Sequence, residues 1–336
     1  MNDTKPCTVQ LDPDVCKLEL KTNNHSIYST ASSNIIVKVL NNNNEQCVKR
    51  LYNELKIGQL ICHYGLRRSI DLVPYDNRKA LLLEWVDGYP LSQIIEDKRF
   101  LVKEFILSAR DIVSALLAMH TNCMVHTNLT SDHIIYNRET KTIKIIGIGS
   151  AVKFEGEKRS ISQFDLLEKD LHYISPEMGS MVKRHFDLRT DLYSLGVIFY
   201  KMLTGKYPLV SEDKMKLILL HVSQEPLPVQ YIDPNIPATV SQMISKLLSK
   251  NTDERYQTAK GLIYDLDMMI SEYDSDTNLT DIVLAENDKA LPQLLSRSKL
   301  YGREGDFDIL SSVLKRVTHD SSEVVFVTGT SGTGMY

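Results

Sequence analysis

The stretch HTNLTSDHIIYN (126–137), followed by IKIIGIGSA (143–151), decides the fold when it is considered with its flanks. On the N-terminal side, apolar runs rich in branched residues predict β-strands, the clearest being NIIVKVL (34–40) and ALLLEWVDG (80–88). Strand patterns come first and helical patterns dominate later. This order predicts an α+β protein with a small strand-rich lobe joined to a larger helical lobe.

Helical periodicity is clearest between residues 102 and 117. Apolar residues keep the i, i+3, i+4 spacing there over four turns: Val102, Phe105, Ile106, Ala109, Ile112, Val113, Leu116 and Leu117. Further helical patterns cover residues 46–61, 191–205, 214–222, 238–250 and 258–272.

The composition excludes several classes of function. The chain has 336 residues, of which 43% are hydrophobic and 24% charged, as in a soluble globular protein. A net charge of −4 gives no reason to expect nucleic acid or an anionic membrane as a partner. The five cysteines include no pair with CxxC spacing, which argues against a zinc site and a disulfide framework. Because the N-terminus lacks the apolar core of a signal peptide and no apolar run approaches about 18 residues, we expect a cytoplasmic protein without a membrane segment.

A series of separate signals occurs in an order and spacing that resemble a Ser/Thr-type protein kinase over roughly residues 15–272. The signals are Lys38, Glu54, Leu83, Glu84-Trp85-Val86, Ser175-Pro176-Glu177, Asp191 and Arg255. Each is weak alone, since a lysine on a strand or a glutamate on a helix is often just a solvated residue. Together they resemble a two-lobed protein-kinase-like fold with a nucleotide cleft.

The resemblance also implies roles for individual residues. It places Lys38 and Glu54 in an ion pair at the nucleotide site. It makes Leu83 the gatekeeper, and it makes the segment Glu84-Trp85-Val86 the hinge that holds the adenine of ATP.

The opening stretch nevertheless departs from a protein kinase at all three chemical positions. A kinase reads H-R-D-x-x-x-x-N and then D-F-G, where one Asp acts as general base and the Asn and the second Asp hold magnesium. Counting from His126, the base position holds Asn128, the metal-ligand position holds His133, and Gly147 stands at the Asp of D-F-G. An amide is no general base at neutral pH, and losing a general base typically costs about 10²–10⁴ in rate.

The same replacements weaken magnesium binding. Gly147 has no side chain, and His133 offers nitrogen to a metal ion that prefers oxygen ligands. We therefore expect no intact catalytic residue and no metal site in this cleft.

Two phosphate-binding loops are also degenerate. No glycine precedes Gly58, so residues 22–32 cannot form a glycine-rich cover over phosphates. Near the C-terminus, the glycine-rich loop 329–334 is followed by Met335 and Tyr336, whereas a P-loop requires Lys and then Ser or Thr. ATP is the cofactor that the resemblance implies, and its binding would depend on Lys38, the hinge backbone and an apolar adenine slot.

The C-terminal part narrows the resemblance. An acidic, polar stretch (273–296) is typical of a linker, and LYGRE (300–304), a helical pattern, a strand and the loop 329–334 follow it. This order is similar to the N-terminal region of multidomain fungal and bacterial sensor histidine kinases. The resemblance implies a fungal hybrid histidine kinase truncated at the start of its P-loop ATPase domain. It also implies ATPase, GAF and histidine-kinase modules as the partners in a longer chain.

The predicted organisation is a polar segment (1–24), an N-lobe (25–86), a C-lobe (87–272), a linker (273–296) and a partial P-loop domain (297–336). Three hypotheses for the function remain. The first is a pseudokinase that acts as a regulatory, ATP-sensing module in two-component signalling. The second is a weakly active ATP-dependent Ser/Thr kinase, and the third is an interaction scaffold that binds no nucleotide. The sequence alone leaves open whether the chain is an enzyme.

Overall fold

A computed structural model of the protein gives the fold of most of the kinase-like region. It describes residues 16–22, 24–30, 34–41, 44–75, 78–154, 169–179, 186–274 and 282–289. The chain divides into two compact units, Met1–Lys289 and Ala290–Tyr336. The partial P-loop domain expected at 297–336 lies outside the described residues, and the predicted domain boundaries stay predictions.

The N-terminal lobe is built on a five-stranded antiparallel sheet with the strand order β1-β2-β3-β5-β4. Its strands are β1 (Cys16–Lys21), β2 (His25–Thr30), β3 (Ile35–Leu40), β4 (Ser69–Tyr75) and β5 (Arg78–Glu84). Because side chains alternate across a strand, Val37 and Val39 pack on one face of β3, and Ile36 and Lys38 lie on the other. The sequence analysis did not assign β1, which lies within the segment 1–24.

The helix α1 (Glu45–Leu60) covers the face of the sheet that carries Lys38. Asn44 begins this helix, and its side chain accepts a hydrogen bond from the Gln46 N–H at 2.9 Å, a standard N-cap. Leu51 of α1 packs against Ile36 of the sheet. The cap and the apolar contact together set which residues of α1 face β3.

The C-terminal lobe is mainly helical. Its helices are α2 (Leu91–Asp97), α3 (Val102–Thr121), α4 (Pro176–Gly179), α5 (Arg189–Thr204), α6 (Lys214–Ser223), α7 (Ala238–Leu247) and α8 (Ala259–Asp274). Every residue of α5 is buried, so this helix is the centre of the lobe. It ends at Gly205, whose φ of +72° suits glycine and whose N–H donates to the Lys201 carbonyl at 2.8 Å.

Two small sheets hold the loops that the sequence analysis singled out. One contains β6 (Tyr89–Pro90), β8 (Ile134–Asn137) and β9 (Thr142–Ile145), and the other pairs β7 (Met124–Val125) with β10 (Val152–Lys153). The loop 126–133 therefore runs from β7 to β8, and the loop 146–151 runs from β9 to β10. Both loops are anchored at each end by strand pairing.

The predicted α+β, two-lobed fold is confirmed by this arrangement of an antiparallel N-lobe sheet and a helical C-lobe. Among the described residues, no helix combines the length and the apolar character needed to cross a membrane.

A buried ion pair joins α4 to the segment before α8. Arg255 Nη1 and Nη2 each donate to a different carboxylate oxygen of Glu177 at 2.8 Å, and both side chains are almost fully buried. Thr190 Oγ1 adds a third hydrogen bond to Glu177 at 2.8 Å. Burial by itself raises the pKa of Glu177, but Arg255 outweighs this effect and the net shift is downward. The pair ties three separate segments of the C-lobe together.

Replacing Arg255 with Met is expected to lower the free energy of unfolding by about 3–5 kcal/mol, because Glu177 would remain buried without a counter-charge. Urea denaturation measures this change. Arg110→Met is the control, since Arg110 pairs with Asp267 at 3.0 Å on the surface and should cost less than about 1 kcal/mol. The double variant Arg255→Met/Glu177→Leu should recover much of the loss. A double variant as unstable as the single one would contradict this explanation.

Candidate functional site

A buried ion cluster lies between β3, α1 and the segment that leads into β4. Lys38 Nζ contacts Glu54 Oε2 at 2.7 Å, and Arg67 Nη2 contacts Glu54 Oε1 at 3.2 Å. Glu54 is only 2% exposed. Burial alone raises the pKa of Glu54, but Lys38 and Arg67 outweigh it and lower the pKa to about 2. The carboxylate is therefore ionised at neutral pH, and the cluster carries one excess positive charge.

The helix α1 is also tied to the loop 146–151. Asn53 Nδ2 donates to the carbonyl oxygens of Gly149 and Ala151 at 2.9 and 2.7 Å. On the other side of α1, Ser69 Oγ donates to the Glu54 carbonyl at 2.8 Å. These contacts hold α1 in the position that places Glu54 beside Lys38.

Hydrogen bonds to Asp191 hold the loop that begins at His126. The buried Asp191 carboxylate accepts hydrogen bonds from the N–H groups of His126 and Thr127 at 2.7 and 2.9 Å, and it contacts His120 Nε2 at 3.1 Å. Thr127 has a φ of +61°, a conformation uncommon for a β-branched residue. Lys169 Nζ donates to the Thr127 carbonyl at 2.5 Å, which adds a cation next to this loop.

The three degenerate positions come together in space. His133 Nδ1 lies 2.7 Å from the Asn128 carbonyl oxygen. A carbonyl only accepts, so Nδ1 carries the proton and Nε2 has a free lone pair. The same ring lies against Gly147, because a Cβ built on Gly147 would be 2.4 Å from His133 Cδ2 and 2.8 Å from His133 Nε2. The imidazole thus occupies the space into which a side chain at position 147 would extend.

His133 is uncharged in this environment. Burial is the main cause that lowers its pKa, to about 3, and the nearby His126 lowers it further. His126 itself is buried, and its Nε2 lies 3.2 Å from the Ile146 carbonyl. The floor of the cleft therefore offers a neutral ring where a protein kinase offers carboxylate and amide oxygens.

The opposite side of the cleft carries two bulky residues. Ile36 precedes Lys38 by two positions on β3 and so lies on the same face, opposite Leu83 in the strand register. His25 begins β2, and its Nδ1 lies 3.3 Å from Thr22 Oγ1 in the tight turn after β1. Burial and the proximity of Lys38 lower the pKa of His25 to about 4. A neutral imidazole is thus held near Lys38, and Ile36 packs with Leu83 in one buried apolar cluster.

The predicted hinge connects β5 to the C-lobe. Leu83 is 1% exposed and packs in the core between the sheet and α1. The Glu84 carboxylate contacts Lys144 Nζ at 2.7 and 2.9 Å and so links the hinge to β9. The Trp85 N–H donates to the Asn34 carbonyl at 2.9 Å, while the indole is 37% exposed and Val86 is half-buried.

The cleft combines positive charge with side chains that differ from the base and metal ligands of a kinase. Lys38 and Arg67 provide positive charge, but Asn128 cannot act as a base, and neither His133 nor Gly147 can hold magnesium. Within the described ranges, no group of three or more His, Cys, Asp or Glu side chains is arranged to bind a metal ion. The residues present do not fit the magnesium that the kinase resemblance implies.

Four residues of this site were missed from the sequence: His25, Ile36, Arg67 and Lys169. Strand alternation around Lys38 could have identified Ile36. The other three come from distant segments, and no local pattern indicates that they approach Lys38, Glu54 or Thr127.

Gly147→Asp is expected to lower the free energy of unfolding by about 1–3 kcal/mol, because the new carboxylate must displace the His133 ring from a packed space. Thermal or urea denaturation measures this loss, and the double variant Gly147→Asp/His133→Asn should recover most of it. Gly205→Asp is the matched control, since Gly205 also has a φ of +72° but a Cβ there would be no closer than 3.3 Å to Arg99. Equal rescue of both glycine variants by His133→Asn would disprove the proposed contact.

The low pKa of His133 makes stability depend on pH. Since the pKa is about 3 in the folded protein and 6.5 in its ordinary state, the unfolded chain binds this proton first as the pH falls. The contribution of the neutral His133 ring to the free energy of unfolding is therefore complete above pH 6.5, and it is lost progressively as the pH falls towards 3. His133→Asn should show a shallower fall in the free energy of unfolding between these values. Parallel curves for the two proteins would contradict the assignment.

Comparison with known proteins agrees with the geometry. The protein kinase domain family matches residues 25–264. A probable serine/threonine-protein kinase of Clostridium perfringens is 29% identical over 69% of this chain, and the serine/threonine-protein kinase PknB of Mycobacterium tuberculosis is 29% identical over 55% of it. The hybrid signal transduction histidine kinase G of Dictyostelium discoideum is 33% identical over 48% of this chain.

The matches span 34%, 29% and 5% of these three relatives, so each relative is much longer than the shared region. The family match covers more than half of the present chain and includes both lobes of the cleft. On this basis, the chain belongs to the protein kinase domain family.

Proposed function

We propose that this protein is a pseudokinase that binds a nucleotide without magnesium and does not transfer its phosphate. The observation that carries the proposal is the contact between the neutral His133 ring and Gly147, at the two positions where a kinase holds its metal. Asn128 removes the general base from the same loop. The Lys38–Glu54 pair is retained, which supports a role in binding.

The charges of the cleft favour an anion in the absence of metal. In a kinase one of the two metal positions holds a carboxylate, the Asp of D-F-G, which would repel phosphate oxygens strongly over a few ångström unless a cation neutralised it. In this chain those positions hold a neutral imidazole and a glycine. The two positive charges of Lys38 and Arg67 exceed the single negative charge of Glu54 by one. Phosphate can therefore approach Lys38 without a metal ion between them.

We place this domain in a longer signalling protein as a regulatory module. The similarity to a hybrid signal transduction histidine kinase, of which the match spans only 5%, supports this context. The partners in that context are P-loop ATPase, GAF and histidine-kinase modules of the same chain. We also propose that the protein is cytoplasmic and comes from a fungus.

Two alternatives have support of their own. The Lys38–Glu54 contact at 2.7 Å and the similarity to Ser/Thr kinases favour a weakly active Ser/Thr kinase. The bulk of Ile36 and the buried imidazole of His25 favour a scaffold that binds no nucleotide. The nucleotide titration below separates these alternatives from the pseudokinase.

Titration of the full chain with ATP, with magnesium or with EDTA, is expected to raise the melting temperature equally in both conditions. A ligand that binds only the folded protein stabilises it by about 2.7 kcal/mol at a hundredfold excess over Kd. Lys38→Met should abolish the shift because it removes the main cation. Lys49→Met is the matched control, since Lys49 is an exposed lysine of α1 that pairs with Glu45 at 2.6 Å on the surface.

The three functions predict different outcomes of this titration. A shift that requires magnesium, together with ADP release that Lys38→Met abolishes, would replace the pseudokinase with the weakly active kinase. If ATP shifts the melting temperature neither with magnesium nor with EDTA, the result would favour the scaffold that binds no nucleotide.

A further inference from the structure

The segment 282–289, which we name the C-terminal strap, packs back onto the C-lobe. It follows the part of the chain that the kinase family matches, which ends at residue 264. Ile282, Leu284 and Ala285 are partly buried against the main hydrophobic core. These eight residues belong to the stretch that the sequence analysis assigned to a linker.

Asp288 fastens the strap to the beginning of α8. Its Oδ2 accepts from the Gln257 N–H at 2.5 Å, and its Oδ1 accepts from the Thr258 N–H at 3.0 Å and from Thr258 Oγ1 at 2.8 Å. These two N–H groups lie just before Ala259, the first residue of α8, where the positive end of the helix dipole favours a carboxylate. Thr258 Oγ1 in turn accepts from the Gly261 N–H at 2.9 Å. Asp288 thus extends the cap of α8 from a position well outside that helix.

Gly261 provides the space for this carboxylate. A Cβ built on Gly261 would lie 2.4 Å from Asp288 Oδ1 and 2.5 Å from Asp288 Cγ. No larger residue at position 261 could coexist with the fastened strap. The glycine and the carboxylate are therefore matched to each other, although they are far apart in sequence.

The fastened state also has energetic costs. Ala285 has a φ of +61°, a left-handed conformation that is unfavourable for alanine. Its N–H donates to Asp265 Oδ2 at 2.8 Å, and Asp265 Oδ1 is buried without a hydrogen-bond partner among the described residues. The left-handed backbone at Ala285 favours release, whereas the hydrogen bonds to Asp288 and Asp265 favour docking.

We propose that the C-terminal strap is a releasable latch that fixes where the chain leaves the kinase-like domain. When Asp288 is docked, the chain after Lys289 begins beside the start of α8. When the strap opens, residues 282–289 leave the surface of the C-lobe at α8. This inference is independent of nucleotide binding.

Native-state hydrogen exchange of the full chain tests the latch. The Ala285 amide should exchange through a local opening with little dependence on denaturant, while amides inside α8 exchange only with global unfolding. Asp288→Ala should speed exchange at Ala285, Gln257 and Thr258 by about five- to thirtyfold, the range expected for loss of an N-cap. Glu286→Ala is the matched control, because Glu286 is an exposed acid on the same strap, and it should change none of these rates.

A second variant keeps Asp288 but fills the space that its carboxylate occupies beside residue 261. Gly261→Ala should speed the same amides, and combining it with Asp288→Ala should add little, because both act on one contact. The proposal is overturned if Ala285 exchanges only with global unfolding, since the strap would then be a permanent part of the domain. It is equally overturned if Asp288→Ala and Glu286→Ala give the same rates.

Discussion

The buried carboxylate of Glu54 imposes the constraint on which the cleft depends. An ionised carboxylate that is almost fully excluded from water is tolerated only with paired charges and hydrogen bonds. Lys38 of β3 and Arg67 before β4 provide these charges, so the sheet and α1 are held in one relative position. Asn53 extends the same constraint to the loop 146–151. Helix, sheet and loop are thus connected through one buried set of contacts.

In the C-lobe, buried carboxylates are likewise stabilised by hydrogen bonds and paired charges, which other residues provide. Asp191 is satisfied by two backbone N–H groups of the loop at His126, and Glu177 is satisfied by Arg255 and Thr190. None of these contacts involves Asn128, His133 or Gly147. The fold is thus stabilised by residues separate from those that perform chemistry in a kinase. This separation explains how a kinase fold can persist after its base and metal ligands have been replaced.

The replacements also form a consistent set. His133 extends into the space that Gly147 leaves, and burial keeps its ring neutral, so one change accommodates the other. His25 places a second neutral ring near Lys38. The C-terminal strap shows the same kind of complementarity between Gly261 and Asp288. In both places the side chain of a residue distant in sequence fills the volume that a side chain at the glycine would need.

The sequence by itself determined the α+β class, the order of the two lobes and the three missing kinase groups, because residue periodicity and motif spacing are local properties of the chain. It also indicated Lys38, Glu54 and the hinge. Only the tertiary structure decided that Arg67 shares Glu54, that His133 fills the space beside Gly147, and that part of the expected linker docks on α8 through Asp288. The residues that make these contacts are separated by 13 to 31 positions in the sequence. Their geometry depends on how strands and helices pack, which no local pattern of residues specifies.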